Sequence, residues 1–321
     1  MWRTFGTRRE GAPPQCKEAQ MTTIAWIGLG NMGKPMTKNL VDAGFTVVGF
    51  DLNEAALAAA VENGVTAARS TAEAVGDADF VFTMLPKGEH ALAVYRGEGG
   101  VFANARSGAV LVDSSTIDVD TANELHEEAA QAGFEFLDAP VSGGISGAAA
   151  GTLTFMVGGE AETLEKARPV IDPMAGNIFH AGGNGAGQAS KAVNNMMLAV
   201  SLQGVVEGAV LSRKLGLDPK TFHSIAKVSS GDSWPLRTWY PTPGVVETAA
   251  ANNGFASTFA AALAHKDVGL ALAAADSVGV DLPGAKLAYA QLQKLLDEGY
   301  GDMDCTLMIR NVDPEAPGVP Q

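Results

Sequence analysis

Lys191, Asn194 and Asn195 stand together at the head of a long apolar segment, and a lysine so placed is suited to proton transfer. Lys191 and Asn195 are one helical turn apart, so they share a face, and Asn194 flanks it. A free lysine titrates near ~10.4, too high for an efficient base at neutral pH. Burial of its charged form lowers that value toward a useful range. The competing reading is a lysine that snorkels its ammonium to water along an apolar surface. A second group is Ser142-Gly143-Gly144. A hydroxyl beside two residues without side chains exposes backbone N–H groups that can cradle a carboxylate, although a plain flexible turn reads the same way. His90, His126, His180, His223 and His265 are scattered, and none makes a ligand pair at helical spacing, so metal chemistry is not indicated.

The elements that must position these groups are legible around them. From Gly182 to Leu215 the glycine cluster ends at Gly187 and no proline follows until Pro219, which predicts a long helix. Its apolar residues from Val193 to Leu211 cover nearly every face, the pattern of a helix buried all round. Upstream, Thr23 to Ile27 reads as a strand, and Gly28-Leu29-Gly30-Asn31-Met32-Gly33 follows it without a gap. Pro35 to Ala43 then reads as a helix and Thr46 to Phe50 as a second strand, with Asp51 at its end. A lone G-x-G-x-x-G is weak, but strand, helix, second strand and an acid about twenty residues on complete the dinucleotide-binding context. The glycines let the backbone approach a pyrophosphate held on the helix N-terminus. Asp51 would accept hydrogen bonds from the adenosine ribose and repel a 2′-phosphate, which predicts NAD over NADP. Further strands at Val65–Ala67, Phe80–Leu85, Ala109–Asp113 and Phe134–Asp138 alternate with helices, so a mainly parallel, doubly wound sheet is expected, followed by an all-helical half. In such sheets ligands bind beyond the strand C-termini. Three loops lie there: Leu85-Pro86, Ser114-Ser115-Thr116, and Ala139 to Gly144.

The chain has 321 residues, enough for two domains, and its net charge of −14 argues against nucleic acid or an anionic membrane surface as partner. No apolar run reads as a membrane span of about 20 residues. Cys16 and Cys305 lie far apart without metal spacing, so free thiols in a reducing compartment are the default. Residues 1–20 read as a disordered extension, with the functional protein starting near Met21. The expected location is cytoplasmic, or the mitochondrial matrix should residues 1–20 be a targeting segment. The expected domains are 21–183, dinucleotide-binding, and 184–313, helical and substrate-binding, with 314–321 a loose tail. The apolar length of the long helix suggests a homodimer or homotetramer.

Five stretches together resemble the β-hydroxyacid dehydrogenase family: Gly28 to Gly33, Asp113 to Thr116, Asp138 to Gly144, Gly187 to Asn195, and Lys266-Asp267. The resemblance covers about residues 22–313. It implies a Rossmann-type domain followed by an all-α domain, NAD as cofactor, and a small anionic 3-hydroxy acid as substrate. Lys191 matches the family's catalytic lysine; Ser142, Gly143, Gly144 and Asn195, with Asn194 beside it, match substrate-binding positions. Leu85, Pro86, Thr116 and Lys266 match cofactor contacts, together with the glycine loop. A narrower likeness, to members acting on 3-hydroxyisobutyrate, rests on Ser229 to Trp234, Pro241 to Val245 and Gly254-Phe255, and adds Trp234 to the substrate side. Two positions depart: His90 replaces a frequent Asn, and Asp232 a frequent Arg. An acid at 232 would disfavour a carboxylate unless it points away. Related reductases of tartronate semialdehyde or serine type share the general motifs. A non-catalytic NAD sensor on the same fold would have no need of Lys191 with paired asparagines.

Overall fold

Short runs rich in β-branched and aromatic residues form the strands β1 (Thr23–Ile27), β2 (Thr46–Phe50), β3 (Thr66–Ala67), β4 (Phe80–Thr83), β5 (Val110–Asp113), β6 (Glu135–Asp138), β7 (Val141–Ser142), β8 (Leu153–Gly158) and β9 (Ala175–Gly182). They belong to a computed structural model that describes residues 22–320, so the expectations for residues 1–20 and Met21 lie outside the described residues. The order β3-β2-β1-β4-β5-β6 is parallel throughout. Helices cover both faces, as a doubly wound sheet requires. Alternation along the strands divides the core. Trp26 and Phe82, register partners stacked at 5.1 Å, face one side. Ala25, Ile27 and Val81 face the other.

Beyond β6 the pattern changes. β7 continues from β6 along the same edge of β8, and both run antiparallel to it: Asp138 pairs with Gly158, and Val141 and Ser142 with Phe155 and Thr154. The connection to β8 holds only the short helix Gly144–Ala150, too little chain for a parallel crossover. β9 then pairs with the other edge of β8.

The helical half is built on the helix Ala186–Lys214, against which Ala261–Ser277 and Pro283–Asp297 pack. Leu202, Val206, Phe255, Leu292, Leu295 and Met308 form its core. Three expectations need correction. First, the long helix is not buried all round: Val193, Met197, Leu211 and Leu215 are between 54% and 70% exposed. An apolar pattern on every face cannot say which side packs on the protein's own chain. Its best 18-residue window has a mean hydropathy of 1.3, so by length and composition it matches a membrane span, but half of that window is packed inside the protein. Second, the expected all-helical half is not helical from Phe255 onward: its helix there starts only at Ala261. Phe255 has a left-handed φ of 59°, and residues 256–260 stay non-helical, with the amides of Thr258 and Phe259 bonded to the buried Asp304 carboxylate. Third, residues 314–320 are not loose: Ala316 and Val319 are buried in the helical core, and Arg310 donates to the Pro320 carbonyl at 2.9 Å.

The head of the long helix is seated on the end of β6. Asp138, fully buried, accepts the Gly185 amide at 3.0 Å and the Gln188 amide at 2.9 Å, while His126 Nε2 lies 2.8 Å from the same carboxylate. This close approach needs Gly187, where a Cβ would stand 2.4 Å from the carbonyl oxygens of Asp138 and Met156. Both obstacles are backbone, so the sheet and helix would have to separate. Gly187→Ala is therefore expected to lower unfolding stability by about 1–3 kcal/mol, measured as a fall in the urea midpoint; an unchanged midpoint would contradict this packing.

Candidate active site

Each glycine of the first loop has a different job. Gly28 has φ of 97°, and a Cβ there would lie 2.3 Å from the Met84 carbonyl oxygen. Gly33 lets the following helix, Gly33–Asp42, approach the strand: its Cβ would meet the Gly28 carbonyl at 2.0 Å. Gly30 has open space around its Cβ position. Two glycines thus make the turn and the packing, and the third leaves backbone bare at a helix N-terminus, as a pyrophosphate needs. Asp51 ends β2, and its carboxylate accepts the Leu29 amide at 2.6 Å and the Asn53 amide at 2.7 Å. The acid is therefore held beside the glycine loop, where an adenosine ribose would lie. Asn31 is exposed and Met32 half-buried at the helix start.

The loops after β4 and β5 are tied to each other and to the helical half. Asp113, buried at the end of β5, accepts Thr83 Oγ1 and Ser115 Oγ, each at 2.6 Å. Ser115 Oγ accepts the Leu85 amide at 2.8 Å. Burial pushes the Asp113 carboxyl up, the hydrogen bonds from Ser115 and Thr83 pull it down, and nearby Asp138 adds to the rise. From the helix Ala261–Ser277, Lys266 donates its ammonium to the Thr116 carbonyl at 2.7 Å and the Pro86 carbonyl at 3.2 Å. Leu85, Pro86, Thr116 and Lys266 are thus brought to one place. Beside them an open cavity of about 270 Å³, lined by Thr116, Ile117, Lys87, Glu89, Lys266 and Leu270 among others, lies between the two halves.

Lys191 is only 8% exposed, which decides against a snorkelling lysine. Burial lowers its pKa; Asp267 opposes that shift and the Lys266 charge adds to it. One turn on, buried Asn195 donates to Asp267 at 2.6 Å, and the Asn194 side chain donates to Asn195 Oδ1 at 3.0 Å. Lys266 Nζ stands 3.2 Å from the other oxygen of Asp267, within ion-pair range but not aligned as a hydrogen bond. The chain Asn194–Asn195–Asp267–Lys266 therefore joins the first turns of the long helix to the loops after β4 and β5. Ser142 is half-buried in β7, and Gly143 and Gly144, with φ of 135° and 64°, are exposed and begin the helix Gly144–Ala150.

Trp234 packs edge-on against Trp239 with ring centroids 4.8 Å apart, and Trp239 lines a small enclosed pocket with Asn195 and Asp267. Trp234 thus reaches this neighbourhood through Trp239. Asp232 is paired with Arg237 at 2.6 Å, so its charge is countered at the protein surface. His90 is half-exposed beside Glu89. Sequence reasoning did not single out Asp138, Gln188, Asp267 or Trp239 for the site. Asp267 had a signal, since it stands next to Lys266 in one of the five stretches that carry the family resemblance. Gln188 had none: that its side chain grips the Ser115 carbonyl at 2.7 Å and the Ile117 amide at 3.1 Å is purely tertiary.

A glycine loop of this geometry, an acid just after β2 and a buried lysine near the head of the long helix define an NAD-dependent oxidoreductase. Residues 23–182 match the family described as the NAD binding domain of 6-phosphogluconate dehydrogenase, and residues 185–312 that described as NAD-binding of NADP-dependent 3-hydroxyisobutyrate dehydrogenase. A probable 3-hydroxyisobutyrate dehydrogenase of Mycobacterium tuberculosis is 46% identical over 92% of this chain and 99% of its own. The NAD-dependent L-serine dehydrogenase of Pseudomonas aeruginosa is 44% identical over 92% and 99%. The solved structure of Mycobacterium tuberculosis 3-hydroxyisobutyrate dehydrogenase with L-serine superposes with a TM-score of 0.84 at 46% identity, covering 91% of this chain and 99% of that one. The chain belongs to the 3-hydroxyisobutyrate dehydrogenase family and is an NAD-dependent 3-hydroxyacid dehydrogenase.

The burial of Lys191 has a thermodynamic consequence. Its folded pKa lies below its unfolded value of ~10.4, so the unfolded chain holds the proton more tightly between the two. The lysine is tolerated best above ~10.4, and its cost grows as pH falls through the folded pKa. Lys191→Met should raise Tm at pH 7 by about 2–4 °C, with the gain shrinking as pH approaches ~10.4. Equal Tm values for the two proteins across that range would contradict it.

Proposed function

We propose that the enzyme oxidises 3-hydroxyisobutyrate to methylmalonate semialdehyde, a step of valine breakdown, with Lys191 as general acid–base. The observation that carries this is a buried lysine, with its pKa lowered, one turn from a buried asparagine at the cleft where the two halves meet. NAD supplies hydride acceptance at its nicotinamide ring when bound. The Gly28–Gly33 loop would hold the pyrophosphate, Asp51 the ribose, and Leu85, Pro86, Thr116 and Lys266 the nicotinamide side. Ser142, the amides of Gly143 and Gly144, and the Asn195 side chain, with Asn194 behind it, would bind the substrate carboxylate and fix the alcohol carbon. Trp234 would bound the substrate side through Trp239. Lys191, neutral at the start of oxidation, takes the hydroxyl proton at Nζ as the C–H bond yields its hydride. In the reverse direction its ammonium donates to the carbonyl oxygen. L-Serine is a second reading, favoured by the names and bound ligand of the relatives above; it differs only in the group on the carbon next to the carboxylate.

Initial rates with NAD on 3-hydroxyisobutyrate, L-serine and glycerate decide between these substrates, with the first expected to have the highest kcat/KM. Lys191→Ala should lower kcat by about 10²–10⁴-fold while NAD affinity stays within about twofold of wild type; a variant with near-normal kcat would remove Lys191 from its role. We further propose that the exposed stripe Val193, Met197, Leu211 and Leu215 is covered by a second copy of the chain, as a homodimer or within a homotetramer, because water-facing apolar rows of this length are uncommon on monomers. Leu211→Glu should then sediment as a smaller species than the wild type. A wild type that sediments as a monomer at micromolar concentration would end this proposal.

A further inference from the structure

The first turn of the long helix is held by groups that neither transfer the proton nor bind the substrate. Asp138 Oδ1 accepts the Gly185 amide and Oδ2 the Gln188 amide. His126 Nε2, on the helix Val119–Ala132, lies 2.8 Å from Oδ1, and its ring stands edge-on to Phe136 with centroids 4.7 Å apart. With both carboxylate oxygens already accepting amides, the hydrogen of this contact belongs to the imidazole, which donates. Gly158 and Gly187 bracket the group closely: a Cβ on Gly158 would lie 2.4 Å from Oδ1, and one on Gly187 2.8 Å from Oδ2. Strand and helix backbone thus pack directly against the carboxylate.

Two distances along the chain start from this one residue. Ser142 lies four residues beyond Asp138, through β7. Lys191 lies six residues beyond Gly185, roughly 9 Å along the helix axis. Gln188 adds a second tie most of a turn on, through its side chain to Ser115 and Ile117. We propose that Asp138, backed by His126, is a positioning pair for the reaction: it seats the long helix on the end of β6 and thereby sets Lys191 against the Ser142-Gly143-Gly144 cradle. The proposal rests on Lys191 being the proton-transfer residue. The helix terminus favours an anion at this spot, since its first amides have no partners within the helix and its dipole is positive there. Loss of the anion leaves the first turn free to shift, and a shift of about 1 Å at the reacting atoms can cost on the order of 10²-fold in rate.

The test uses the full-length enzyme with NAD and 3-hydroxyisobutyrate, and compares Asp138→Asn, His126→Phe and His126→Gln, with rates counted per NAD-binding site so that unfolded material does not enter. Asn keeps one acceptor but turns an N–H toward a backbone amide; Phe removes the donor to Asp138; Gln restores an N–H near the place of Nε2. Expected are kcat values about 10–100-fold lower for Asp138→Asn and His126→Phe, NAD affinity within about twofold, and recovery to within about threefold of wild type in His126→Gln. A His126→Phe variant with wild-type kcat, or equal losses in His126→Phe and His126→Gln, would overturn the pair. Lys191→Ala is run alongside. Should it keep its kcat, the functional reading fails; should it collapse while His126→Phe is unaffected, the positioning pair alone fails.

Discussion

Asp138 is an ion in a place that water does not reach, and the two halves of the molecule meet around it. Burying a carboxylate costs several kcal/mol, offset here by hydrogen bonds to a charged group, each contributing about 1.5–3 kcal/mol. Its donors come from separate elements: two amides at the head of the long helix and the imidazole of His126 from the helix Val119–Ala132. Because each donor is needed to compensate the charge, none of these elements can move alone. The glycines at 158 and 187 follow from the same constraint, since they let strand and helix backbone close on the carboxylate.

Lys191 obeys the opposite logic. Its amine is buried where the charged form is disfavoured, and Lys266 nearby adds to that effect. Such an arrangement works against stability and in favour of proton transfer near neutral pH. Lys266 instead donates its hydrogens to the carbonyls of Thr116 and Pro86. Two lysines in one cleft thus stand in different surroundings. Asp267 links them, with Asn195 on one oxygen and Lys266 near the other. Asn195 and the loops after β4 and β5 are therefore joined through side chains of the long helix and the helix Ala261–Ser277 as well as through the sheet.

Local pattern was enough for the glycine loop, because turn, pyrophosphate approach and helix packing each demand a residue without a side chain at fixed spacing. It was enough also for β1 to β6, whose apolar runs are bounded by turn residues, and for the pairing of Lys191 with Asn195 on one helical face. It failed where the same pattern serves two environments. The long helix is apolar on every side, and only packing distinguishes the side facing Leu292 and Phe255 from the side carrying Met197 and Leu211. The segment after Phe255 has helical composition, yet the Asp304 carboxylate takes its amides and holds them out of a helix. Residues 314–320 look like a polar, proline-rich tail until Ala316 and Val319 are seen against the helical core.

Spacing along one chain segment fixes the parallel βα order, the dinucleotide turn, and the residue types able to move a proton or hold a carboxylate. Contacts between distant segments fix the antiparallel β8, the seat of Asp138 beneath the long helix, the grip of Gln188 on the loop after β5, and the burial of Lys191. A side chain's neighbours across 47 to 73 residues of chain leave no mark in its local pattern. Whether a lysine is a solvated charge or a base depends on those neighbours alone.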